Sequence, residues 1–218
     1  MSPKQNLKIN RQSARSTEAK QPKPPFAQEL LWALLGLLLT ITSTFFPAYI
    51  TNLPLKWPDQ GLQPLSLGVT FQVGAVLLTG CLGGKNAGAL SQIAYVMLGL
   101  FWLSVFAQGG GLEYIEEPTF GYILGFIPGA WVCGFLAFRR RSSLETLAFS
   151  ALAGLIVIHV CGLTYLSAIS LLNVSETLSW TTLPSAIMAY SWEPLPGQLV
   201  ITCAVATIAH CLRQILLY

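Results

Sequence analysis

The sequence predicts an all-α polytopic membrane protein, with six transmembrane helices in one bundle and a structured outer loop between helices 3 and 4. Three observations carry that expectation. The 218-residue chain is 53% hydrophobic and only 10% charged, with a mean hydropathy of +0.60, whereas a soluble domain carries about 25% charged residues. Its apolar runs reach the roughly 20 residues that a helix needs to cross a bilayer. Its basic residues collect in a few segments instead of scattering along the chain.

Residues 1–25 read as a disordered cytoplasmic tail, with Lys4, Lys8, Arg11, Arg15, Lys20 and Lys23 against the single acid Glu18. Pro22, Pro24 and Pro25 forbid a regular helix at its end. The tail is too long for the n-region of a signal peptide, and the apolar run after it is too long for an h-region. A transit peptide is the weaker rival. Residues 26–218 then form the membrane domain.

Helix 1 is expected from Phe26 to Phe46, with Gly36, Thr40 and Thr44 four residues apart on one face. Small residues in such a row let membrane helices approach closely. Pro47 to Pro64 holds four prolines and reads as a structured loop, with Trp57 suited to anchor at the membrane interface. Helix 2 is expected from Leu65 to Leu82, and the turn Gly83-Gly84-Lys85-Asn86 leads to helix 3, Ala87 to Phe106. Between helices 3 and 4 stand three glycines (Gly109, Gly110, Gly111), three carboxylates and Pro118-Thr119. Glycine lets backbone approach a ligand closely, so this loop reads either as the lid of a pocket or as a flexible connection. Helix 4 covers Phe120 to Phe138, closed by Arg139-Arg140-Arg141, and helix 5 covers Leu144 to Leu172. Asn173 to Pro194 is a second long outer segment with a short interfacial helix near Thr182 to Tyr190, and helix 6 runs from Leu195 to Leu217.

In this layout, all Lys and Arg except Lys56 fall in the tail, the 83–86 turn, the 139–141 turn or the end of helix 6. The positive-inside rule therefore puts both termini in the cytoplasm. Asp59, Glu113, Glu116, Glu117, Glu176 and Glu193 lie on the opposite side.

Enzymatic motifs are missing. No H-E-x-x-H, G-x-S-x-G or G-x-x-x-x-G-K-[ST] occurs, so the chain has no nucleotide-hydrolysing loop of its own. Cys81, Cys133, Cys161, Cys203 and Cys211 sit in apolar runs without C-x-x-C pairing and read as packing residues, with no metal or cofactor site. Polar residues inside spans are costly and point to sites or to interhelical hydrogen bonds. They are Gln72, Ser91, Gln92, Tyr95, His159 and Gln198. With Tyr122, the residues Gln72 and Gln198 are expected near the outer surface, beneath the glycine loop.

The stretch GALSQIAYVMLGLFWLSVFAQGGG followed by PTFGYILGF resembles the core of the BioY family, the membrane-embedded biotin-binding subunits of energy-coupling-factor transporters. The resemblance extends more loosely from about Leu65 to the C-terminus and includes PLPGQL before the last helix. It implies biotin as ligand and the lipid bilayer as setting. It also implies an energy-coupling transmembrane subunit and ATPase subunits as partners, with no nucleic acid. In that family small residues of the first helix dock the coupling subunit, yet the usual alanine pair is absent here, and internal packing explains the Gly36 face equally well. The expected ligand-binding set, from the polar span residues and the glycine loop together, is Gln72, Ser91, Tyr95, Gly109, Gly110, Gly111, Pro118, Thr119, Tyr122 and Gln198. Tyr95, Trp102, Phe106 and Tyr122 are the aromatics expected over the ligand's bicycle.

The family's Pro-Gly-Asp, with a Lys one turn on, is Pro196-Gly197-Gln198 and Ile201 here, and its Gly-Pro-Thr-Gly-Gly is Glu117-Pro118-Thr119-Phe120-Gly121. Either biotin is held differently, by backbone N–H groups of the glycine loop, or the substrate is a related, less acidic molecule. An intramembrane enzyme and a structural subunit of a larger complex stay open as other classes.

Overall fold

The computed structural model describes residues 26–52, 61–139, 143–172 and 180–216. The basic tail, Lys56, Trp57, Asp59, Arg140, Arg141, Asn173 and Glu176 lie outside them. Helix α1 (Phe26–Thr44) is followed by strands β1 (Pro47–Thr51) and β2 (Pro64–Thr70). Helix α2 (Gln72–Phe101) comes next, then a 3-10 turn (Leu112–Glu116), α3 (Phe120–Ala137) and α4 (Leu144–Leu172). Short α5 (Leu183–Ile187) leads through a π-turn (Met188–Trp192) into α6 (Leu195–Leu216). Among the described residues four helical stretches are long and apolar enough to cross a membrane: Phe26–Thr44, Phe120–Ala137, Leu144–Leu172 and Leu183–Leu216.

Helix α2 is not one of these, since the polar Lys85-Asn86 step interrupts its apolar run, and it folds back on itself at Gly84. Gly84 has φ 82° and ψ −179°, a region essentially reserved for glycine. Beyond it the chain returns along its own path. A Cβ on Gly88 would lie 3.3 Å from Gly80 Cα, and Gln72 Nε2 reaches the Tyr95 hydroxyl at 2.9 Å. Residues 23 apart would be about 35 Å apart on a straight helix. Small residues let the bend sit close to α3, with Gly80 packed on Ala130 O and Gly134 on the Gly84–Lys85 backbone. On its other side α3 meets α4 through Gly121, Gly125 and Gly129, which face Tyr165, Ile158 and Gly154.

The all-α expectation needs a correction. The chain from Pro47 onward and from Pro64 onward forms an antiparallel pair, with Tyr49 opposite Ser66 and Thr51 opposite Pro64. Helix 2 therefore begins at Gln72 and not at Leu65. Gly68 has φ 69°, which a right-handed helix cannot accommodate. Val69 and Thr70 are β-branched and suit a pleated strand. Strand β2 lies on the start of α6, because Gly197 has no Cβ to hold off Leu67 O. Helix 3 is also shorter than expected and ends at Phe101. The chain then turns so that the Phe106 ring occupies the space left by Gly99.

The face Gly36, Thr40, Thr44 turns into the bundle. Gly36 abuts Thr79, and Gln92 Nε2 donates to Thr40 Oγ1 at 3.1 Å. In this chain that row is internal packing. At the opposite end from β2, Arg213 is only 3% exposed. Its Nε donates to Cys81 O at 2.8 Å and its Nη1 to Ala137 O at 3.0 Å, with Nη2 also on Cys81 O. Both carbonyls lie in the last turns of helical limbs, where acceptors are orphaned and the helix dipole is negative. The guanidinium also lies 4.0 Å from the Phe138 ring centroid. One cation thus ties α6 to the ends of two helices. Lys85 and Arg139 cluster at the same end, around the stacked Trp131 and Phe135 rings.

Candidate ligand site

At the end of the bundle opposite Arg213, a cavity of about 220 Å³ opens between β2, both neighbours of the glycine loop, α3, α4, the π-turn and α6. Its polar lining comprises Thr70, Gln72, Gln108, Tyr114, Thr119, Tyr122, Tyr190 and Gln198, and Val73, Ile123, Phe126 and Ile158 supply apolar wall. Sites for drug-sized ligands run to about 300–1,000 Å³, so this volume suits a smaller metabolite. A larger cavity of about 440 Å³ lies beside Leu136, Arg139, Glu145 and Phe149. It sits at the basic end, and its described lining holds one aromatic ring, Phe149, with Arg139, Glu145, Thr146 and Ser150 as its polar groups.

Three hydrogen-bonded groups set the polar lining. In the first, Gln72 Nε2 donates to the Tyr95 hydroxyl at 2.9 Å, and that hydroxyl donates to Val105 O at 3.0 Å. The Thr44 hydroxyl stands 3.3 Å from it. In the second, the Tyr122 and Ser191 hydroxyls are 2.5 Å apart, Ser191 Oγ is 3.2 Å from His159 Nδ1, and His159 Nε2 is 2.6 Å from Gln198 Oε1. The Tyr122 ring stands edge-on to the His159 ring, centroids 5.7 Å apart. In the third, the Tyr114 and Thr119 hydroxyls bond at 3.1 Å. Burial pushes the Tyr114 hydroxyl above its ordinary pKa, so it stays a neutral donor and acceptor.

Of the residues expected at the site, Gln72, Thr119, Tyr122 and Gln198 line the cavity. Tyr95 is fully buried behind Gln72 and holds it in place. Ser91 lies elsewhere, donating to Gly88 O at 2.8 Å and receiving Gln92 Nε2 at 3.0 Å. Gly109, Gly110, Gly111 and Pro118 are not in the cavity wall. Gly109 pairs with Phe106, Gly111 N donates to Gly99 O at 2.8 Å, and Pro118 is buried. The glycine loop thus packs on the end of α2 and presents Ala107 and Gln108 to the cavity. Among the expected aromatic covers Trp102 is 84% exposed, and Phe106 is buried edge-on to Tyr95. Tyr122 lines the cavity, together with Tyr114, Phe126 and Tyr190.

Strand β2 and Ser191 are additions that the sequence does not signal, since Ser191 sits in a Ser-Trp-Glu-Pro stretch that reads as loop. His159 carries a signal, being a polar residue within an apolar run, but nothing in the sequence ties it to Gln198. Among the described residues no group of three His, Cys, Asp or Glu is placed to hold a metal ion.

Residues 15–217 match the BioY family. The chain belongs to that family. An uncharacterised 21.2 kDa protein from the psbX-ycf33 intergenic region of Cyanophora paradoxa is 30% identical, over 86% of this chain and 95% of its own length. The biotin transporter BioY of Thermotoga maritima is 42% identical over 45% of this chain and 58% of its own. The probable biotin transporter BioY of Lysinibacillus sphaericus is 38% identical over 51% of this chain and 58% of its own. The 2.1 Å crystal structure of the S-component for biotin from an ECF-type ABC transporter superposes with a TM-score of 0.61, over 89% of this chain and 95% of that one. At 22% identity the superposition demonstrates the shared fold. BioY membership and the helices of spanning length make this a multi-pass membrane protein.

Proposed function

We propose that this chain is the membrane-embedded substrate-binding subunit of a biotin uptake system, and that it is not an enzyme. It captures biotin at the outer face and releases it to the cytoplasm together with an energy-coupling transmembrane subunit and ATPase subunits. The observation that carries the reading is the cavity itself, where Gln72, Thr119, Tyr122 and Gln198 converge among aromatic and apolar walls. Biotin offers a ureido ring with two N–H donors and a carbonyl acceptor, and amide side chains both donate and accept. The apolar bicycle suits Phe126, Ile123 and Ile158.

Within this reading residues 26–218 form one substrate-binding domain of six spans, the two limbs of α2 on either side of Gly84 adding two to the four long helices. Residues 1–25 are a cytoplasmic tail. The basic end with Lys85, Arg139 and Arg213 faces the cytoplasm, which puts both termini there and the cavity on the outer side of the cell membrane.

A second substrate reading has its own observation. Ile201, at the position of the family's lysine, is 3% exposed and packs against Gly74, and among the described residues no Lys, Arg or His lines the cavity. A vitamin-like ligand less acidic than biotin fits such a wall as well. Titrating the purified protein with biotin and with biotinol, its alcohol counterpart, decides the matter. Tighter binding of biotin supports the first reading, and tighter binding of biotinol supports the second.

A further inference from the structure

We propose that His159 is a positioning residue that turns the Gln198 amide so that its N–H groups, and not its carbonyl, face the cavity. The ligand atom met by Gln198 is then a hydrogen-bond acceptor, the ureido carbonyl oxygen. The proposal rests on the biotin reading of the site.

The direction follows from counting protons along one chain of contacts. Gln198 Oε1 lies 2.6 Å from His159 Nε2, and a carbonyl oxygen only accepts, so Nε2 carries the hydrogen. A neutral imidazole has one N–H, which leaves Nδ1 as the acceptor from Ser191 Oγ at 3.2 Å. Ser191 spends its only proton there, so at 2.5 Å from the Tyr122 hydroxyl its oxygen accepts. A phenol is the better donor and the poorer acceptor of two hydroxyls, and Tyr122 takes the donor end. The reverse order would make the phenol oxygen accept from Ser191 and leave the phenol proton without a partner among the described residues. The tautomer is thereby set by the far side of the ring, as histidine tautomers commonly are.

Once Oε1 is engaged by His159, the Gln198 N–H groups have no acceptor among the described residues, and Gln198 is on the cavity wall. Gln72 is oriented in the opposite sense. Its Nε2 donates to Tyr95, which leaves Oε1 as the atom able to accept from a ligand. The wall thus presents one amide as donor and another as acceptor, the complement of a urea, whose carbonyl and N–H are adjacent. A buried donor left without its acceptor is costly, so the site discriminates by hydrogen-bond direction.

The test compares biotin with 2-iminobiotin, a cyclic guanidine that carries donors where biotin has its acceptor. In the unaltered protein 2-iminobiotin should bind at least about tenfold more weakly than biotin. In His159→Phe biotin should weaken by about tenfold, and the ratio of the two affinities should fall toward one, because the freed amide can turn its carbonyl to the guanidinium. His159→Gln, whose side-chain N–H reaches the Nε2 position, should keep the ratio. Equal weakening of both ligands in His159→Phe would mean that the ring only fills space, and would overturn the proposal. Should that variant not fold, Ser191→Ala carries the test, since it removes the donor that holds the tautomer. A fall in the ratio supports the proposal, and an unchanged ratio rejects it. Failure of the unaltered protein to bind biotin would remove the functional reading and this proposal with it. Normal biotin binding with unchanged ratios in the variants removes this proposal alone.

Discussion

At position 198 a glutamine stands where the family's motif has an aspartate, and the structure gives that glutamine a partner, His159 at 2.6 Å. An ionised aspartate only accepts, whereas the amide keeps an acceptor for the histidine and donors for the cavity. Truncating it strands polar partners at a cost of about 1–3 kcal/mol. Gln198→Ala is therefore expected to weaken biotin roughly ten- to a hundredfold without loss of expression, as measured by isothermal titration. Ile201 behaves differently. The motif makes Ile201→Lys look like a restoration of the family cation, but the side chain packs on Gly74 inside the bundle. A lysine there should lower the melting temperature and leave biotin affinity no better; a gain in affinity would show that the cation reaches the ligand after all. Arg213 reads in the sequence as a cytoplasmic charge at a helix end. Its burial onto Cys81 O and Ala137 O is tertiary and has no sequence signature. Arg213→Met should destabilise the folded protein by about 1–3 kcal/mol for each carbonyl left bare. An unchanged melting curve in detergent would contradict that account.

Among the elements, α3, α4 and α6 begin and end within a residue or two of the runs read from sequence, because each is a continuous apolar stretch bounded by a sharp change of composition. Arg139, Leu144 and Pro194 mark those changes. The first strand pair is illegible for the opposite reason. Leu65-Ser66-Leu67-Gly68-Val69-Thr70 merges without a break into the apolar run of α2, and neither the positive φ of Gly68 nor its partner strand is written in the local pattern. The glycine loop is legible as special but not in its role. A side chain on Gly110 would meet Gly99 O at 2.7 Å and Leu103 O at 2.9 Å, so the loop's glycines serve close packing on α2, while Gln108 and Thr119 reach the cavity. Gly110→Val should weaken biotin at least tenfold, about 1.4 kcal/mol, by displacing that loop, and should lower thermal stability as well. Weakened binding with unaltered stability would point to a direct contact instead. Gly84→Ala is expected to cost about 1–3 kcal/mol from its backbone conformation, read as a drop in melting temperature.

For the whole molecule, class was open to sequence reasoning because it depends on a sum along the chain, its apolar content, whereas orientation is a proposal that rests on the segregation of Lys and Arg. The site was only half open to it. Gln72 and Gln198 are visible as polar residues in apolar runs, but their partners Tyr95 and His159 lie 23 and 39 positions away, and no local pattern joins them. Orientation has its own check: reporter fusions at the C-terminus should report the cytoplasm, and an external signal would reverse the assignment of the cavity to the outer face. The central claim is that this BioY-family chain binds biotin in the cavity between β2, α3, α4 and α6. Isothermal titration of biotin into the purified protein and into Gln198→Ala tests it most directly. Saturable binding at one site per chain, weakened ten- to a hundredfold in the variant, is the predicted result. Full biotin affinity in a folded Gln198→Ala protein would contradict it.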